Sequence, residues 1–98
     1  MKPPADWPFD QPRNAATVTT RHVIRKEQPI THVYHDEEDH GWQFHYAGPI
    51  DMADALLVTL DSIVDIDPTV IEIADFPPGW AATRERPGLP WIRKRDEY

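Results

Sequence analysis

The sequence predicts an α+β fold: a small, mostly antiparallel sheet with short helices on one side. Three observations predict it. Short β-branched or aromatic runs recur at 16–20 (ATVTT), 30–35 (ITHVYH), 42–48 (WQFHYAG) and 56–60 (LLVTL). Helix-start and helix-stop signals stand between them, a capping threonine or aspartate at one end and proline or glycine at the other. The 98 residues, 40% apolar and without an internal repeat, make one domain.

Each element has a local reason. Residues 1–16 hold four of the eleven prolines, no regular period, and Trp7 and Phe9. Proline removes ladder and helix hydrogen bonds, so this stretch reads as an extended arm carrying two aromatics. The α+β domain then spans 17–98. After the β-prone 16–20 run, Thr20 is placed to cap a short helix over 21–28, ended by Pro29. The central feature is a hairpin. In 42–48, Trp42, Phe44 and Tyr46 fall on one face, with Gln43 and His45 on the other. The polar residues 36–41 form its tip, where Gly41 is free to take positive φ.

Gly48-Pro49 reads as a break, 51–55 (DMADA) as a turn or short helix, and 56–60 as a buried strand. Asp61 looks like the cap of a helix over SIVDI. Asp67-Pro68 is a cleaner start, a capping carboxylate followed by proline at the first helical position. Its helix, 68 to about 75, would bury Val70, Ile71, Ile73 and Ala74, and Phe76-Pro77-Pro78-Gly79 stops it. A strand over 79–85, a turn at RPGLP and a last strand over 91–95 complete the chain.

Composition bounds the function. There is no cysteine, so disulfide and thiolate chemistry are excluded. No apolar run reaches membrane-spanning or signal-peptide length, and the reading is a cytoplasmic protein, monomer or small homo-oligomer. Charge is segregated. Between Asp36 and Asp75 there are eleven Asp and Glu and no Lys or Arg, and the net charge is −7. That balance argues against nucleic acid, whose phosphates need a basic surface, and suits a basic protein partner. Asp36, Glu37, Glu38 and Asp39 at the hairpin tip, with Trp80 and Trp91 beside predicted strands, are the candidate contacts.

Catalysis is not signalled. Ser62 is the one serine, the four glycines are scattered, and clustered loop carboxylates lack a cleft. The stretch HDEEDHGWQFH (35–45) supplies a competing metal reading, in which His35 and His45 pair across the hairpin with the loop carboxylate Asp39. No HExxH or HxH spacing accompanies it, and no cofactor is expected.

The run H-x-x-x-D-x-GWQF-x-x-x-G, His35 through Gly48, is followed by LLVTLDSIVDIDPTVIEIADFPPGWAATRE and a terminal W-I-R. Over roughly residues 18–93 this order resembles a family of small bacterial domains of unknown function. That family looks related to a group assigned as immunity proteins of polymorphic toxin systems. Asp36, Asp39, Gly41, Trp42, Phe44, Asp67, Pro68, Asp75, Gly79 and Trp80 match its motifs. His40-Gly41-Trp42 stands where the immunity group usually shows a D-S-G-W type sequence. Together with the segregated charge, the resemblance implies a non-catalytic protein that binds a basic partner, in the immunity reading a toxin that it neutralises.

Overall fold

The computed structural model describes residues 7–38, 41–47 and 51–95, with the side chain of Met52 outside that set. Residues 1–6 of the arm, the tip residues Asp39 and His40, and the Gly48-Pro49 break lie outside the described residues.

Six strands form one sheet: β1 (Ala16–Thr20), β2 (His32–His35), β3 (Trp42–His45), β4 (Ala55–Thr59), β5 (Trp80–Thr83) and β6 (Ile92–Arg95). Their order is β4-β1-β3-β2-β5-β6, antiparallel except for β1 beside β3. The expected fold class is the observed one. Two helices, α1 (Arg21–Ile24) and α2 (Leu60–Ile66), and a 3-10 helix, Pro68–Ile73, supply the second layer.

Alternation in the central hairpin builds the core. Val33 pairs with Phe44 and His35 with Trp42, all buried on one face. Val23 of α1, Leu60 and Ile63 of α2, and Val70 and Ile73 of the 3-10 helix pack onto that face with Ile30, Phe76 and Ala82. Each fully buried Leu, Ile, Val or Phe contributes roughly 1.5–3 kcal/mol of transfer free energy. Phe9 joins the same cluster, edge-on to Trp42 at 5.3 Å, and Trp7 packs on Phe9 at 5.5 Å. The opposite face carries His32, Tyr34, Gln43 and His45.

Several boundaries differ from the sequence reading. α1 ends at Ile24, well before Pro29. The Lys26 N–H bonds to the Val23 carbonyl (3.0 Å) and the Glu27 N–H reaches back to that of His22 (2.9 Å). This is a Schellman closure with Lys26 in the left-handed position at φ 61°, where glycine is usual.

The 56–60 run is not a buried strand. It shifts to Ala55–Thr59 at the sheet edge, with Leu56 and Leu57 exposed, while Leu60 enters α2 and is fully buried. α2 therefore begins at Leu60, and Asp61 lies inside it. Its first amides donate to the arm, Leu60 N–H to the Ala15 carbonyl (2.9 Å) and Asp61 N–H to that of Arg13 (3.0 Å). Backbone carbonyls thus take the capping role assigned to the Asp61 side chain.

Asp67 does cap the next element, its Oδ1 accepting the Thr69 N–H at 3.0 Å. The element is 3-10, a tighter turn that leaves Ile71 exposed where an α-helical period would bury it. The DMADA stretch gives a 3-10 turn, Met52–Asp54, fastened to α1 by Arg21 (2.5 Å) and His22 (3.3 Å) on Asp54. Shielding from solvent pushes the Asp54 carboxyl up, and hydrogen bonds from His22 and Arg21 outweigh it, holding the group below its ordinary value.

Lys26→Gly removes the strain of a side chain at positive φ, offset in part by glycine's greater freedom in the unfolded chain. It should stabilise the protein by about 0.5–1 kcal/mol in urea unfolding. A destabilised variant would contradict the closure described.

Candidate functional site

The hairpin tip carries the unbroken run of acids. The Asp36 N–H bonds to the Gly41 carbonyl at 2.8 Å, which closes the tip. The adjacent pair, His35 and Trp42, then occupies a non-hydrogen-bonded position, where cross-strand side chains come closest. Their rings stack at 4.0 Å and 12°. His35 Nδ1 lies 2.9 Å from the Phe76 carbonyl. A carbonyl only accepts, so Nδ1 carries the proton and donates it. His35 is thereby a core residue tying the tip to the loop that leads into β5.

That loop completes the end of the sheet. Gly79 N–H donates to the His35 carbonyl at 2.7 Å, and Gly79 has φ 91°. A side chain there would be strained and would meet the Glu37 carboxylate at 3.5 Å. Glu37 and Glu38 are exposed, as are Asp10 of the arm and Asp75 of the loop. Asp10 and Gln11 line a cavity of about 140 Å³ with His35, Trp42, Ala74 and Pro78, which places the arm at the same end of the sheet as the tip. Arg93 engages Asp75 at 3.2 Å and sits over Phe76 at 4.8 Å.

On the opposite face a polar chain links the tip to the sheet. Gln43 Nε2 donates to Asp36 Oδ2 (2.8 Å), and His45 Nε2 lies 3.0 Å from Gln43 Oε1. With the Gln43 amide so oriented, its oxygen accepts and His45 Nε2 donates. Burial, and then the neighbouring His32, lower the His45 pKa, against a smaller upward pull from Asp36.

The metal reading fails on register. His45 pairs with His32 and His35 with Trp42, so His35 and His45 project from opposite faces. The expectation that they face each other across the hairpin is corrected, and Asp39 lies outside the described residues. Among the described residues, no three His, Cys, Asp or Glu side chains gather as a metal site.

The two tryptophans separate. Trp80 pairs with His35 across β2 and β5, at the acidic end, half-buried against the core. Trp91 precedes β6 at the other end of the sheet, with the Arg84 guanidinium 4.0 Å over its ring. It shares no surface with Glu37 and Glu38.

Arg84 is the residue that sequence reasoning passed over. It is buried, pairs with Asp67 Oδ2 at 2.6 Å, and donates to Thr69 Oγ1 at 2.8 Å. Nε and Nη2 both donate to the Ile30 carbonyl, at 3.1 and 2.9 Å. Its placement just after the apolar run WAAT was the available signal.

No family model, curated protein or solved structure matches the chain. The resemblance to immunity proteins therefore rests on the quoted motifs alone. Among the described residues, no helix is long and apolar enough to cross a membrane.

The lowered His45 pKa sets a pH dependence. The unfolded chain binds a proton near the ordinary value of 6.5, whereas the folded chain binds it only at lower pH. Between those two values the unfolded state holds more protons, so stability rises with pH. The contribution is complete above about 6.5 and is lost as pH falls through that window. The unfolding free energy of native protein minus that of His45→Leu protein should accordingly fall on acidification from pH 7. A pH-independent difference would refute the assignment.

Proposed function

We propose that the protein is a non-catalytic binding module whose acidic sheet end meets a basic protein partner. Neutralisation of a basic toxin is the role that the sequence motifs suggest. The observation that carries this reading is the meeting of exposed carboxylates at one end of the sheet: Glu37 and Glu38 on the tip and Asp10 on the arm, with Asp75, paired to Arg93, on the following loop. Asp36 stands behind them, turned to Gln43. Trp80 adds a half-buried aromatic at the same end.

One feature supports a binding surface over a solubilising one. The tip is anchored by the His35–Trp42 stack and the bond to Phe76, so its exposed carboxylates ride on a fixed support. Preorganised charge loses little entropy on association and steers encounter with an oppositely charged surface. The cations of neighbouring β6 divide: Arg93 engages Asp75 and Phe76, while exposed Arg95 stands opposite Trp80 at this same end of the sheet.

Reversing the exposed tip with Glu37→Lys/Glu38→Lys tests the reading. Native and reversed proteins, immobilised side by side, are exposed to extract from the source cells at low and moderate salt. A protein rich in Lys and Arg should be held by the native chain, more weakly as salt rises, and released by the reversed one. With that protein purified, the association rate should fall by about tenfold or more at low ionic strength. Unfolding free energy should stay within about 0.5 kcal/mol of native, because both side chains are exposed. Equal retention by the two baits would overturn the proposed contact.

A further inference from the structure

The sheet has two edges, and they are built differently. β6 presents Arg93, Lys94 and Arg95 in succession, all exposed. Cationic side chains on an edge deter a further strand from pairing. Among the described residues, β4 lacks such protection. Its sequence ALLVT contains no Lys, Pro or Gly, and all five residues stay in unbroken register with β1, so no bulge turns the edge away. Leu57 is 76% exposed and Leu56 39% exposed, on opposite faces of the strand. Edge backbone donors and acceptors beside exposed leucines form a template for strand addition.

Charge narrows the class of strand that fits. Exposed Asp51 leads into β4; Asp61 and exposed Asp65 follow it on α2, which packs against β4. The nearby cations are engaged: Arg21 holds Asp54 at 2.5 Å, and the Arg13 guanidinium lies 4.5 Å over Trp7. Direction matters too. Thr59 pairs with Ala16 of β1, and β1 runs parallel to β3, which starts from the acidic tip. One end of a strand laid along β4 therefore lies at the end of the sheet where Glu37, Glu38 and Asp61 stand.

We propose that the β4 edge is a strand-addition site for an extended segment of a basic protein, with apolar residues over Leu57 and lysines or arginines beside Asp51, Asp61 and Asp65. This rests on the reading of the protein as a module for a basic partner and says where that partner's backbone is held. A second copy fits the edge less well. Two-fold antiparallel pairing of β4 would set the Asp51 flank of one copy against the Asp61 flank of the other, and each copy carries a net charge of −7.

The test uses the whole chain and a labelled synthetic peptide in which valine and threonine alternate between flanking lysine pairs. Binding is read by fluorescence anisotropy at low salt. Native protein should bind it, and Leu57→Lys should weaken binding by about tenfold or more, with an unchanged circular dichroism melt because the site is exposed. Leu57→Thr, which keeps a strand-forming residue, should fold as native and bind with intermediate affinity. A peptide N-methylated at alternate backbone nitrogens should lose affinity for the native chain, since the site recognises backbone.

Equal binding by native and Leu57→Lys protein would overturn the site, whatever the tip variant does. Loss with Leu57→Lys beside unchanged capture by Glu37→Lys/Glu38→Lys would keep the edge and sink the acidic tip. Sedimentation showing a native dimer that Leu57→Lys makes monomeric would assign the edge to a second copy and overturn the proposal.

Discussion

The buried Arg84 guanidinium is the interaction on which the rest of the structure depends. It reaches three separate parts of the chain: the Ile30 carbonyl ahead of β2, Asp67 and Thr69 at the corner between α2 and the 3-10 helix, and Trp91 ahead of β6. A planar fork with fixed donors suits this task, because each contact restricts the geometry of the others. Asp67 is equally committed, since Oδ2 takes the arginine while Oδ1 takes the backbone and hydroxyl of Thr69. An ion pair of this depth is a weak source of net stability compared with apolar packing, yet losing one partner strands the other without compensation. Its contribution is to fix how the helical layer sits on the sheet.

That clamp and the proposed working surface lie at opposite ends of β5. Arg84 follows Thr83 at one end; Trp80, paired with His35, begins the strand at the other. The acidic end is organised by its own short-range contacts, the His35–Trp42 stack, the Phe76 carbonyl and the Gly79 amide. Exposed Glu37 and Glu38 take no part in them, so their charge is available to a partner without cost to the fold. Such a division keeps the contacts that hold the fold apart from the charge presented at the tip.

What the sequence disclosed follows from the range of each signal. The hairpin was legible because Trp42 and Phe44 alternate with Gln43 and His45, and burial of one face fixes the register. Asp67-Pro68 was legible because capping acts over two residues. The fate of LLVTL was not, since a short apolar run reads the same in a central strand and at an edge; here Leu60 alone is fully buried, through α2. Ile71 was misplaced because a 3-10 turn advances its side chains differently from an α-helix. The His35/His45 pairing failed because His45 pairs with His32, three residues from His35, and an odd separation puts the two side chains on opposite faces. Arg84 and Asp67 are 17 residues apart, beyond any local pattern, so the clamp had no signature of its own. Lys26 at positive φ is also invisible in sequence, where glycine would have announced the helix end.

The claim that one buried pair fixes the layers is open to a direct measurement, a double-mutant cycle of Arg84→Met and Asp67→Asn read by urea unfolding. The account predicts that each single change costs about 3 kcal/mol or more, because it strands a buried partner. The double variant should then cost less than the sum, with a coupling of about 1–3 kcal/mol. Additive single changes, with coupling within about 0.5 kcal/mol of zero, would contradict it and return the fold to apolar packing alone.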